Sequence, residues 1–162
     1  MLERFKVPLK DQVRVPEQSL RRTVAAIFEK MGETPEDAAT GADVLVTTDL
    51  RGVENHGVSN LMRTYVERYT SGGMKPPPDC RIVRESPATA TVDADTGLAT
   101  ILGPKMMGIA IDKAREVGIG VVTVRNAGHS GAIGHHAMLA AKQDMVGVTM
   151  TAGGTGILPT FG

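Results

Sequence analysis

The sequence has few aromatic residues and no excess of charge of either sign. Its 162 residues include no tryptophan, two tyrosines and three phenylalanines, and eighteen basic residues balance eighteen acidic ones. Surfaces that bind single-stranded nucleic acid stack the bases on aromatic side chains and attract the phosphates with positive charge. A nucleic-acid partner is therefore not expected.

Long apolar runs and paired cysteines are also lacking. No stretch approaches the roughly 20 apolar residues of a membrane span, and residues 1–15 have mixed charge, unlike a signal peptide. The single cysteine, Cys80, cannot form an intrachain disulfide and fits a reducing compartment. We therefore expect a cytoplasmic protein that does not bind membranes.

Residues 1–73 are predicted to form a helical segment. Apolar residues recur every three or four positions over residues 20–31, after the N-cap candidate Thr34, and over residues 61–69. This spacing favours amphipathic helices. A Gly-Gly pair and three consecutive prolines follow, which is typical of a stiff connector between subdomains.

Residues 74–162 are predicted to form an α/β sheet domain with a β-α-β arrangement. The predicted strands cover residues 81–85, 88–93, 121–124 and 145–151, and helices are expected over residues 98–118 and up to about Gln143. The last two strands would be parallel and joined by a crossover helix, so the residues after each would meet at one sheet edge. The chain ends in a glycine-rich loop with no closing element, and we expect it to be truncated.

Two glycine-flanked histidines are the candidates for chemistry. His129 lies in the stretch GIGVVTVRNAGHSGAIGHH, after a β-branched strand and before a helix, where open α/β sheets bind ligands. His56 lies in a second loop, at or just before a helix N-terminus. Either imidazole could transfer a proton to a small oxygenated substrate at neutral pH. A capping or merely polar role for His56 is the alternative.

A metal site is not expected, and the glycine pattern only weakly favours an anion contact. The adjacent His135 and His136 point to different sides of a helix, and no carboxylate follows until Asp144. We interpret these two histidines as a helix-surface or subunit contact. The glycines around His129 follow the pattern G-x-x-G-x-x-G, which differs from the dinucleotide fingerprint G-x-G-x-x-G.

Three motifs carry a family resemblance: DLRGVENHGVSNL, VDADTGLATILGPKMMGIAI and GIGVVTVRNAGHSGAIG. In this order and spacing they make the chain resemble the type 2 malate/L-lactate dehydrogenases, a family that includes ureidoglycolate dehydrogenase, diketogulonate reductase and sulfolactate dehydrogenase. The likeness covers roughly residues 15–162 and corresponds to the N-terminal half of a family member. It implies a non-Rossmann α/β dehydrogenase fold, a homodimer, and hydride transfer between NAD or NADP and a small 2-hydroxy or 2-oxo acid.

The resemblance also implies roles for individual residues. His129 and His56 match family histidines that exchange a proton with the substrate. The implied substrate-binding residues are Asn60, Arg51 and Gly153, and the implied cofactor-binding residues are Ser130, Gly131 and Thr151.

The sequence departs from the family pattern at three places. Asn55 replaces a usual serine, Asn60 replaces a usual arginine, and Ala152-Gly153 replaces a usual Thr-Asn or Ser. Loss of the arginine removes a bidentate partner for a carboxylate, which Arg51 or Arg63 would have to replace. The alternative function is therefore a catalytically silent paralogue that binds a small ligand or pairs with an active partner.

Overall fold

The computed structural model describes residues 8–152, so the predicted site residue Gly153 lies outside the described part of the chain. Within this part the chain forms five α-helices and a three-stranded sheet. None of these helices is long and apolar enough to cross a membrane. The elements are α1 (Glu17–Lys30), α2 (Pro35–Leu50), α3 (Val58–Thr70), β1 (Arg81–Glu85), β2 (Thr89–Asp93), α4 (Ala99–Val117), β3 (Val121–Arg125) and α5 (Gly134–Ala141).

The first three helices enclose a core that also takes in the start of α4. Thr34 caps α2 as predicted, because its hydroxyl accepts the backbone N–H of Asp37 at 3.2 Å. Phe28 and Tyr65 are fully buried, with ring centroids 6.4 Å apart. Leu98 and Ile101 belong to the same cluster. The helical segment and the sheet domain therefore share one core, and the boundary between residues 73 and 74 stays a prediction.

The sheet has the strand order β1-β2-β3. Strands β1 and β2 pair antiparallel, whereas β2 and β3 pair parallel and are connected through α4. Asp93 is the partner of Arg125 in the parallel pair, so β2 and β3 end at the same edge of the sheet. The predicted α/β fold class is confirmed, but the β-α-β unit consists of β2, α4 and β3 and not of β3, α5 and residues 145–151 as predicted. The loop that contains His129 leaves from the carboxyl edge of this unit.

The predicted strand over residues 145–151 is wrong. These residues form no strand, and the parallel partner of β3 is β2. Exposure still alternates along the segment, with Val146, Val148 and Met150 at 94%, 69% and 89%. The Thr149 hydroxyl instead donates to the carbonyl of Ile133 at 2.8 Å. The alternation of apolar and polar residues thus indicates alternating exposure, but a β-strand also requires a neighbouring strand with which its backbone forms hydrogen bonds.

A carboxylate from α2 caps the N-terminus of α3. Asp49 Oδ2 accepts the backbone N–H of Val58 at 2.9 Å, so it acts as an N-cap supplied from outside the helix. Burial is the largest cause that raises the pKa of Asp49. A Cβ at Gly57 would overlap the Asp49 carboxylate. Glycine at this position therefore lets the capping side chain approach, and the cap fixes the loop that contains His56.

We expect Gly57→Ala to destabilise the protein by about 0.5–2 kcal/mol, the usual value of a helix N-cap, because the new methyl group displaces Asp49. The free energy of unfolding, measured by urea denaturation, checks this. Gly108→Ala is the matched control, since Gly108 lies inside α4 with no atom within 4 Å of the new Cβ, and it should be neutral or stabilising by up to about 1 kcal/mol. Equal stability of the two variants would contradict the capping interpretation.

Candidate active site

Two histidines from distant parts of the chain lie side by side near the carboxyl edge of the sheet. His129 is in the loop after β3, and His56 ends a 3-10 turn just before α3. Their ring centroids are 5.6 Å apart, and the ring planes differ by 13°. The fold therefore brings together the two histidines that the sequence singled out.

One ring nitrogen of His129 is held by the protein. The Tyr65 hydroxyl lies 2.9 Å from Nδ1, and the backbone N–H of Gly131 donates to the same atom at 3.3 Å. Tyr65 also contacts Thr100 Oγ1 at 2.8 Å. Among the described residues, none forms a hydrogen bond with Nε2 of His129, and the residue is exposed. Nε2 is therefore the nitrogen that can meet a ligand.

The surroundings of His129 lower the pKa of its imidazole. Partial burial is the largest cause, followed by the charges of His56 and Arg68. The ordinary pKa of histidine is about 6.5, so the ring is mainly neutral at physiological pH and can accept a proton. Because the unfolded chain binds this proton more readily, the contribution of His129 to the free energy of unfolding falls as the pH drops below about 6.5.

The three residues that the resemblance assigns to the cofactor lie next to His129 or to one another. Ser130 Oγ and Thr151 Oγ1 are 3.5 Å apart. Gly131 is buried, has φ +64°, and would place a Cβ 2.9 Å from Thr100 Oγ1. Glycine is therefore required there by both conformation and space. Contact of these residues with a cofactor stays a prediction.

Asn60 and Arg51, predicted to bind substrate, make contacts within the protein. Asn60 Nδ2 donates to the carbonyl of Glu54 at 2.8 Å and so braces the 3-10 turn that contains His56. Arg51 follows the last residue of α2, and its Nη1 contacts the sulfur of Met138 in α5. Their roles toward a substrate, like that of Gly153, remain predictions.

Sequence reasoning missed Arg68, an arginine of α3 near the histidine pair. Its guanidinium forms no salt bridge or hydrogen bond with any residue in the described part of the chain. Arg68 lies three positions after Tyr65, a spacing that places the two on one side of the helix, and it contributes to the low pKa of His129. A cleft of about 150 Å³ is lined by Arg68, Gly73, Thr96, Asn126, Ala127 and Gly128.

His136 is buried, so the interpretation as a surface or subunit contact is wrong for this residue. It is 4% exposed, and its Nε2 lies 3.0 Å from the carbonyl of Ser130. Since a carbonyl only accepts, Nε2 carries the proton. A Cβ at Gly103 of α4 would lie 2.5 Å from the ring. His136 therefore packs α5 on α4 and fixes the backbone next to His129.

Comparison with known proteins gives consistent matches over most of the chain. The model of the malate/L-lactate dehydrogenase family matches residues 15–162. Malate dehydrogenase of Pyrococcus abyssi is 43% identical over 150 residues, which are 93% of this chain and 41% of that protein. Ureidoglycolate dehydrogenase (NAD(+)) of Escherichia coli K12 is 30% identical over 150 residues, which are 93% of this chain and 43% of that protein.

A solved structure matches as well. Sulfolactate dehydrogenase from Methanocaldococcus jannaschii superposes with a TM-score of 0.78 at 41% identity, over 80% of this chain and 38% of that one. The chain thus spans about two fifths of the length of the relatives it matches.

Replacing His56 should raise the pKa of His129, because a neighbouring positive charge is removed while the larger effect of burial remains. We expect the pKa of His129 in His56→Gln to move toward, but not reach, about 6.5. An NMR titration of the imidazole signals measures this value. His135→Gln is the control, since His135 is not among the causes that lower the pKa of His129. An unchanged His129 pKa in His56→Gln would show that the two rings do not interact.

Proposed function

This chain belongs to the malate/L-lactate dehydrogenase family, and we propose that it carries the acid–base histidine of an oxidoreductase acting on a small 2-hydroxy or 2-oxo acid. Its relatives are named malate, sulfolactate and ureidoglycolate dehydrogenases. The proposal includes NAD or NADP as the hydride carrier, and the name of the ureidoglycolate enzyme specifies NAD+. A homodimer and a cytoplasmic location belong to the same proposal.

The observation that carries the proposal is that the protein holds only one ring nitrogen of His129, Nδ1. Oxidation of a 2-hydroxy acid breaks the C2–H bond, whose electron pair leaves as hydride, and the O–H bond, whose proton needs a base. Nε2 of His129 is free among the described residues, and Nδ1 is fixed by Tyr65. When the proton of the neutral ring is on Nδ1, His129 Nε2 accepts the hydroxyl proton in this direction, and it returns that proton when a 2-oxo acid is reduced.

His56 serves as the second histidine of the site. Its ring lies parallel to that of His129 and closes one side of the space in front of it. In the described part of the chain, the His56 imidazole forms no hydrogen bond, so no partner fixes its tautomer. These features favour His129 as the base, with His56 contacting the substrate and lowering the pKa of His129.

Ser130, Gly131 and Thr151 would hold the cofactor, which supplies hydride acceptance when bound. The two hydroxyls, 3.5 Å apart, present hydrogen-bonding groups beside the histidine loop, and this fits a polar cofactor. Large apolar side chains remain exposed in β3 and in the segments before and after it, which supports coverage by a further polypeptide surface. They include Ile119, Val121, Val146, Val148 and Met150.

Arg68 would hold the carboxylate of the acid. Position 60, where the family usually has an arginine, is an asparagine that braces the His56 turn. Arg68 has a guanidinium without a protein partner in the described residues, and it lines a cleft next to the loop after β3. An arginine pairs with a carboxylate through two parallel hydrogen bonds. Arg68 is therefore the cation that best replaces the missing one.

His129→Gln should lower kcat by about 100- to 10,000-fold, the range for loss of a general acid or base. The measurement is reduction of NAD+ or NADP+ by malate, lactate, sulfolactate and ureidoglycolate, using the natural polypeptide that contains this sequence. His135→Gln is the control and should keep kcat, because His135 lies 3.6 Å from Asp43 and outside the proposed site. A His129→Gln protein as active as the control would overturn the assignment.

Arg68→Gln should raise KM for the acid by roughly 10- to 100-fold, as expected for loss of hydrogen bonds to a charged group. The same assay measures this change. Arg63→Gln is the matched control on the same helix, since Arg63 pairs with Glu67 and is 88% exposed. If both variants show the same KM, Arg68 does not hold the carboxylate.

A further inference from the structure

Two buried hydroxyls connect the ring of His129 with its own carbonyl group. Tyr65 Oη lies 2.9 Å from His129 Nδ1 and 2.8 Å from Thr100 Oγ1. Thr100 Oγ1 lies 3.0 Å from the His129 carbonyl oxygen. Both hydroxyl residues have no exposed surface. Each hydroxyl has a single proton to donate and a carbonyl only accepts, so Thr100 donates either to Tyr65 or to the His129 carbonyl, and the direction of the Tyr65 contacts changes with that choice.

In the first direction the chain of hydrogen bonds ends on the ring. Thr100 donates to Tyr65, and Tyr65 donates to Nδ1 of His129. Nδ1 also accepts the backbone N–H of Gly131 at 3.3 Å. Nδ1 then carries no proton, and the neutral ring has its proton on Nε2. The His129 carbonyl still accepts the backbone N–H of Thr100 at 2.9 Å.

In the second direction the chain of hydrogen bonds starts from the ring. Nδ1–H donates to Tyr65, Tyr65 donates to Thr100, and Thr100 donates to the His129 carbonyl. Nε2 of the neutral ring is then bare and basic. The doubly protonated ring uses the same direction, because its Nδ1 also carries a proton. The cost is that Gly131 N–H loses Nδ1 as an acceptor.

We propose that Tyr65 and Thr100 form a reversible hydroxyl chain that sets which ring nitrogen of His129 carries the proton. Each direction satisfies both hydroxyls. The second direction gains the bond from Thr100 to the His129 carbonyl and loses the bond from the Gly131 N–H to Nδ1, so both directions contain three hydrogen bonds. On reversal the two hydroxyls only rotate, while the ring loses one proton to water and takes up another from it. Tyr65 and Thr100 are positioning residues, and Nε2 changes between donor and acceptor.

The ionisation state of Tyr65 is consistent with this role. Burial raises the pKa of Tyr65 to about 12, although the Thr100 hydroxyl and Arg68 act in the opposite direction. The hydroxyl therefore keeps its proton over the physiological range. Apart from Tyr65, the titratable and charged groups that act on the His129 ring in the described residues are His56 and Arg68, and both are unchanged in the variants below.

Three variants separate the proposal from a purely structural role. Tyr65→Phe removes the hydroxyl but keeps the ring, and leaves only Gly131 N–H at Nδ1. Thr100→Val removes the second hydroxyl at nearly constant volume, so Tyr65 can donate only to Nδ1. Both changes favour the tautomer with the proton on Nε2. Thr100→Ser keeps the hydroxyl and should behave like the unmodified protein.

The experiment is long-range ¹H–¹⁵N NMR on the chain with ¹⁵N-labelled histidine at about pH 8, above the ordinary histidine pKa. His129→Gln identifies the His129 signals. We expect both tautomers in the unmodified protein and in Thr100→Ser. In Tyr65→Phe and Thr100→Val the ratio should shift toward Nε2–H by about fivefold, the effect of one net hydrogen bond, and the pKa of His129 should fall.

The serine and valine variants decide the outcome even if Tyr65→Phe does not fold. If Thr100 only fills space, the tautomer ratio should change more in Thr100→Ser than in Thr100→Val, because valine fills the buried site and serine leaves a gap. Tautomer ratios that are equal in Thr100→Val and the unmodified protein would overturn the proposal, as would a serine variant that matches valine. The readout needs no substrate or cofactor, so it is independent of the proposed dehydrogenase activity.

Discussion

The Tyr65 hydroxyl joins the helical core to the histidine loop, and the geometry of the site depends on this contact. The aromatic ring packs against Phe28 with no exposed surface, while the hydroxyl reaches Thr100 and His129. A buried hydroxyl left without a partner costs about 1–3 kcal/mol. The buried Tyr65 hydroxyl needs a hydrogen-bond partner, and its contact with His129 therefore holds the loop in place together with the loop's own turn residues.

His56 is positioned by a similar contact from a neighbouring helix. Asp49 of α2 caps α3, and Asn60 ties the 3-10 turn to the first turn of α3. Both supports hold the backbone around the imidazole and leave its side chain free to face His129. One histidine is thus fixed through its ring and the other through its backbone. This difference gives two chemically identical side chains different freedom to reorient.

The sequence predicted what depends on local pattern. The helices, the cap at Thr34, the fold class and the family were confirmed, because periodicity, caps and motifs are local features of the sequence. The catalytic roles of His129 and His56 stay predictions. The strand over residues 145–151 was wrong, because alternation does not reveal whether a neighbouring strand exists. Thr100 and Arg68 gave no local signal. Their importance arises only where α3, α4 and the loop after β3 meet.

Two glycines described above fit against named side chains of other elements, Gly57 against Asp49 and Gly103 against His136. Neither has a positive φ, so the requirement is space and not backbone freedom. In evolutionary terms each pair is a single trait. A lineage that acquires a side chain at either glycine must also shorten or remove its partner, so the two positions should be inherited together and change together among diverged relatives.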